Sequence, residues 1–115
     1  MKAWHLRKGK SSEQLALRWL QKQGLKLLHQ NYRCKSGEID LIMRDDEHVV
    51  FVEVRYRSHA TFGSAAESVT PDKQRKLLRA AEHYLQRQSR TPACRFDIIG
   101  IDAQQRIQWI KNAFS

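Results

Sequence analysis

The 115-residue chain carries 21 Lys and Arg against 12 Asp and Glu, a net charge of +9. Its length suits one domain spanning residues 1–115, a sheet covered by two helices, and excludes two independent cores. No apolar run is long enough to cross a bilayer, and the positive excess makes nucleic acid the expected partner, ahead of an anionic membrane surface.

In chain order, residues 1–10 (MKAWHLRKGK) read as a basic, loosely ordered arm. No apolar segment follows its charges, so it is not a signal peptide. A helix is expected from Ser11 or Ser12, with Ser11 and Gln14 spaced as a capping box. Leu15, Trp19 and Leu20 give it an apolar stripe and Gly24 a stop. LKLLHQNYR reads as a short strand. GEIDLIMR and HVVFVEVRYR alternate and are the clearest strands. SHATFGSAAESV (58–69), rich in small residues, reads as a flexible loop. TPDKQRKLLRAAEHYLQRQ is the best helix: Thr70 caps it, Pro71 fits its first turn, and Asp72 suits the positive end of the dipole. Leu77, Leu78, Ala81 and Leu85 form its apolar face; Lys73, Arg75, Lys76, Arg79 and Arg87 line the other side. CRFDIIGID and RIQWI are the last strands. Cys34 and Cys94 lie far apart, outside any C-x-x-C pattern, and read as free thiols of a reducing compartment such as the cytoplasm. His5, His29, His48, His59 and His83 lack metal-ligand spacing and read as surface residues.

Three acids interrupt the central hairpin: Glu38, Asp40 and Glu53. The linker Asp45–His48 is of common hairpin length. A symmetric turn sets Ile42 opposite Phe51, Asp40 opposite Glu53 and Glu38 opposite Arg55. Ile39, Leu41, Met43, Val50, Val52 and Val54 then form an apolar face that must lie on the core. Opposed carboxylates destabilise a sheet, so the repulsion needs an offset. Two readings follow from spacing alone. One is an exposed hairpin face with Glu38 and Arg55 as a solvated ion pair, worth about 0–1 kcal/mol. The other is a divalent cation held by Asp40 and Glu53, with water and phosphate completing the shell. Phe51 and Ile42 share the acids' face, which argues that the face is covered. Desolvated acids need partners more than exposed ones do.

GEIDLI, the acidic hairpin, VFVEVRYR, VTPDKQRKLLRAAEHYL and CRFDIIGI together resemble the YraN family of small bacterial proteins, from about Glu13 to Ile101. That family is in turn similar to the PD-(D/E)XK nucleases, in particular Holliday-junction resolvases. The resemblance implies an α/β fold with a restriction-endonuclease-like αβββαβ core, a central mixed sheet flanked by helices. It assigns Asp40 as the motif aspartate, Glu53 as the acid of E-x-K and Arg55 as its basic residue, and Glu13 as the acid often found on the first helix. Gln74 corresponds to a glutamine that some relatives use on the second helix. Ile39 in place of Pro is a minor departure. Arg55 in place of Lys is a larger one, because a guanidinium stays charged and cannot take a proton from water. Read without the resemblance, Glu13 is an acid favoured in a first helical turn, and Gln74 either ends the buried stripe at the surface or faces the site.

The expected function is a Mg²⁺- or Mn²⁺-dependent endonuclease acting on structured or branched DNA. Asp40 and Glu53 would be the metal ligands; Arg57, Lys73, Arg75, Lys76 and Arg79 would contact phosphates. Symmetric resolvase action would take a homodimer. The alternatives are a non-catalytic nucleic-acid-binding module on the same fold, which Arg55 favours, and an adaptor for acidic proteins or membrane surfaces, which has only the net charge behind it.

Overall fold

The computed structural model describes residues 2–57 and 65–114, with side chains from residue 11 onward. These residues form one five-stranded mixed sheet with a long helix on each face. The order is α1 (Lys2–Lys22), β1 (Lys26–Cys34), β2 (Gly37–Asp45), β3 (His48–Arg57), a short 3₁₀ turn (Ala65–Ser68), α2 (Pro71–Leu85), β4 (Cys94–Asp102) and β5 (Ile107–Phe114). The strands lie side by side in sequence order; β3 and β4 run parallel and every other neighbouring pair antiparallel. This is the expected α/β architecture. No helix among the described residues is long and apolar enough to span a membrane.

α1 begins at Lys2 rather than at Ser11 or Ser12. The segment expected as a loose arm continues the helix backwards, so Ser11 and Gln14 sit in mid-helix and form no capping box. The other end matches its signal. Gly24 takes φ +99°, the Gly24 N–H bonds to the Gln21 carbonyl and the Leu25 N–H to the Leu20 carbonyl. That is a Schellman stop, in which only glycine takes the left-handed position without steric cost. Ala16, Leu17 and Leu20 pack with Leu25, Leu41, Met43, Val50, Val52, Ile99 and Ile101 on one face of the sheet.

α2 covers the opposite face. Thr70 caps it by accepting from the Lys73 N–H at 3.2 Å. Leu77, Ala80 and Ala81 pack on Ile39, Ile42, Phe51, Phe96 and Ile98. Of the stretch expected as a flexible loop, residues 58–64 lie outside the described residues, and Ala65 and Val69 are buried. Small residues serve close packing there. A Cβ placed on Gly100 would come within 2.7 Å of the Ala65 Cβ, so β4 needs a glycine where the 3₁₀ turn crosses it.

The hairpin register is the symmetric one from Asp45↔His48 to Leu41↔Val52, and the paired ladder stops there. Ile39 does not join Leu41 and Met43. It packs with Ile42 on the α2 side, so side-chain alternation breaks at Asp40. β1 is irregular nearby: its register shifts between Leu27 and His29, opposite Met43 and Ile42, and at the level of Asp40 Asn31 takes φ +51° between the pairs Gln30↔Leu41 and Tyr32↔Ile39. The kink separates β2 from β3 at the acids.

Asp97 is the other buried carboxylate, 1% exposed. It accepts from Arg95 Nε (3.0 Å), Trp109 Nε1 (2.9 Å) and the Asn112 N–H (3.0 Å), while Arg95 Nη2 reaches Asp45 (3.0 Å). This network ties β5 to β4 and spans β3 to the end of β2, a structural role for the acid. Removing one member leaves buried donors without an acceptor. Asp97→Ala should therefore lower stability by about 3–5 kcal/mol in denaturant unfolding; a loss under about 1 kcal/mol would contradict the role.

Candidate functional site

Where β2 leaves β3, the Val54 N–H loses its strand partner. The Asp40 carboxylate replaces it, accepting at 2.8 Å. This turns Asp40 toward Glu53, close enough for each carboxyl group to act on the other's protonation. Their convergence comes from the kink, not from facing each other across a regular ladder. Glu53 is 5% exposed and has two cations on one oxygen: Arg55 Nη2 lies 3.1 Å and Lys73 Nζ 3.6 Å from Oε2. Arg55 also holds a buried Nε with no hydrogen-bond partner.

Burial pushes the Glu53 carboxyl up to about 7; the Asp40 charge adds to the rise, and Lys73 and Arg55 oppose it. Burial likewise raises Asp40, against the hydrogen bond from Val54, with a further push from Glu38. Below about pH 7 the pair of desolvated acids keeps a proton, because both cannot ionise cheaply. A hard cation can take that proton's place. Among the described residues no cluster of three or more His, Cys, Asp or Glu side chains could hold a metal. A cation here would rest on two carboxylates and complete its shell with water and phosphate, which suits Mg²⁺ or Mn²⁺. The unpartnered Arg55 Nε is a donor that an anionic oxygen would satisfy. The residues therefore fit a divalent cation beside a phosphate.

Several of the other expected residues have partners outside the acid pair. Glu38 pairs with Arg33 at 3.3 Å, not with Arg55, because the divergence removes Arg55 from its reach and β1 supplies a nearer cation. Glu13 is half-buried on α1, the helix that covers the face away from α2. The charges acting most strongly on the acid pair are Glu38, Lys73 and Arg55. Gln74 donates from Nε2 to the Val69 carbonyl at 3.1 Å, fastening the start of α2 to the turn before it. Arg75 and Lys76 are exposed and paired with Asp72; Arg79 is exposed and Arg57 ends β3.

Lys73 is the main correction. Assigned from the sequence to the outward basic side of α2, it is half-buried and points at Glu53. One signal was available. A cation in a first helical turn works against the dipole, so a nearby anion is expected to hold it.

Because the Glu53 pKa is raised on folding, its protonated form is stabilising. That contribution is full below its ordinary value of 4.5 and is lost as pH climbs through about 7. The informative quantity is the difference between wild type and Glu53→Gln, whose side chain keeps the shape and does not titrate. From pH 5 to pH 8 without metal, the variant should gain stability relative to wild type, on the order of 2–3 kcal/mol. Parallel pH profiles would show that Glu53 is not held in its acid form.

Comparison with known proteins places these residues in a family. The model of the uncharacterised protein family UPF0102 matches residues 12–101. A UPF0102 protein of Herminiimonas arsenicoxydans is 56% identical over 105 residues, 91% of this chain and 84% of its own length. One of Nitrosomonas eutropha is 57% identical over 107 residues, 93% and 92% of the two chains. One of Nitrosococcus oceani is 50% identical over 117 aligned positions, 97% and 94% of the two chains. The matched span takes in the second half of α1, the acid pair, the central strands and α2, and the chain belongs to the UPF0102, or YraN, family.

Proposed function

We propose that this protein is a metal-dependent phosphodiesterase of the PD-(D/E)XK kind that acts on structured or branched DNA in the cytoplasm. The observation that carries the reading is the pairing of buried Glu53 with half-buried Asp40, built at a break in the sheet and flanked by Arg55 with an unsatisfied N–H. A structural sheet gains nothing from such a pair. A net charge of +9 draws a polyanion toward this acidic focus.

Asp40 and Glu53 would hold Mg²⁺ or Mn²⁺, which supplies an activated water and neutralises charge on the scissile phosphate. Val54 fixes the Asp40 carboxylate through its N–H, so one ligand is oriented before any cation arrives. Arg55 cannot act as a base; it stabilises charge developing on the phosphate. Arg75, Lys76, Arg79 and Arg57 contact backbone phosphates, which positions the duplex without reading its sequence.

One observation favours the non-catalytic alternative. Arg55 and Lys73 already neutralise the two acids, so the pair can persist without metal. A panel of labelled junctions, flaps, duplexes and RNAs incubated with Mg²⁺ or Mn²⁺ separates the two readings. Cleavage of branched DNA that Glu53→Gln abolishes, with binding kept or strengthened, is the expected result. Binding without cleavage on every substrate would favour the module. Affinity should also fall steeply with salt, with a log–log slope near −4 to −5 if about five phosphates are contacted; salt-independent binding would remove the polyanion reading altogether.

A further inference from the structure

Arg55 and Lys73 share one oxygen of Glu53, but they are held differently. Arg55 sits two residues along the same strand, its side chain 29% exposed, with its Nε buried. Lys73 reaches in from α2 on a flexible four-carbon stem, its side chain 39% exposed and its ammonium at the longer distance of 3.6 Å. Its place in the first turn of α2 sets it against the helix dipole, and the Thr70 cap engages its backbone N–H, not its side chain. The charge of the acid pair is what holds the ammonium there.

The charges make a further point. Two ionised acids against Arg55 and Lys73 leave the site neutral. A divalent cation on the same carboxylates leaves it two positive charges in excess, with Lys73 in like-charge contact with the newcomer. Of the two side chains, Lys73 has the freedom to move away.

We infer that Lys73 is a placeholder for the divalent cation: it neutralises Asp40 and Glu53 in the metal-free protein, yields Oε2 when the cation binds, and is then left facing the incoming phosphate. The inference rests on the reading of Asp40 and Glu53 as metal ligands. It goes beyond that reading by giving one lysine two successive partners and by making it a competitor of the metal.

The test is a calorimetric titration with Mn²⁺ at pH 8 and low salt, without nucleic acid, together with the stability of each metal-free protein. Lys73→Met and Lys73→Gln should bind Mn²⁺ about three- to thirtyfold more tightly than wild type, from relief of a like-charge contact at short range. Both should be less stable than wild type without metal, with the difference narrowing as Mn²⁺ is added. Lys111→Met, which removes the same charge from β5, should leave the Mn²⁺ affinity unchanged. Mn²⁺ affinity that is unchanged or weaker in both Lys73 variants, or raised equally by Lys111→Met, overturns the placeholder while leaving a Glu53-dependent metal site in place. Wild type that binds no Mn²⁺, and so matches Glu53→Gln, overturns the metal reading and the inference with it.

Discussion

The site depends on one hydrogen bond, from the Val54 N–H to the Asp40 carboxylate. A strand that leaves its partner strands a backbone donor, and an unsatisfied buried N–H costs as much as a lost hydrogen bond. The Asp40 side chain supplies the missing acceptor. In doing so it holds β2 and β3 together past the end of their ladder and brings a carboxylate to Glu53. The kink in β2, the irregular stretch of β1 around Asn31 and the burial of Ile39 on the α2 side accompany this arrangement.

The sheet supports it from outside. α1 and α2 cover opposite faces, so even the central strands that carry polar residues are buried on both sides. The Asp97 network locks β5 onto β4 and reaches Asp45 through Arg95, at the far end of the hairpin from the acids. β3 is therefore fixed along its length by the parallel pairing Val49↔Cys94 to Arg57↔Asp102. Glu53 and Arg55 stand on a rigid strand, Asp40 on a kinked one, and Lys73 on a helix. That distribution assigns the preorganised part of the site to β3 and the adjustable part to α2.

Much of this was legible in the sequence because its causes are local. Alternation gave β2 and β3, the turn length gave their register near the loop, Thr70 and Pro71 gave the start of α2, and Gly24 gave the end of α1. The errors have tertiary causes. Nothing in GEIDLI states that pairing stops at Leu41, because the kink arises between three strands; the symmetric register therefore placed Glu38 opposite Arg55 when Arg33 holds it. The basic face of α2 hid Lys73, since helical periodicity cannot tell a solvated lysine from one whose stem crosses to a buried acid. Small residues around Ala65 suggested flexibility, but their size answers to Gly100, which is distant in sequence. The symmetric register made Asp40 and Glu53 neighbours, though it did not give the means by which they meet.

In the proposed function, the space between these two carboxylates is a cation site. Anomalous diffraction from crystals grown or soaked with Mn²⁺ tests it most directly. The expected result is a single strong peak within coordination distance, about 2.0–2.3 Å, of both an Asp40 and a Glu53 oxygen. Well-ordered acids with Mn²⁺ absent or bound only elsewhere would contradict it.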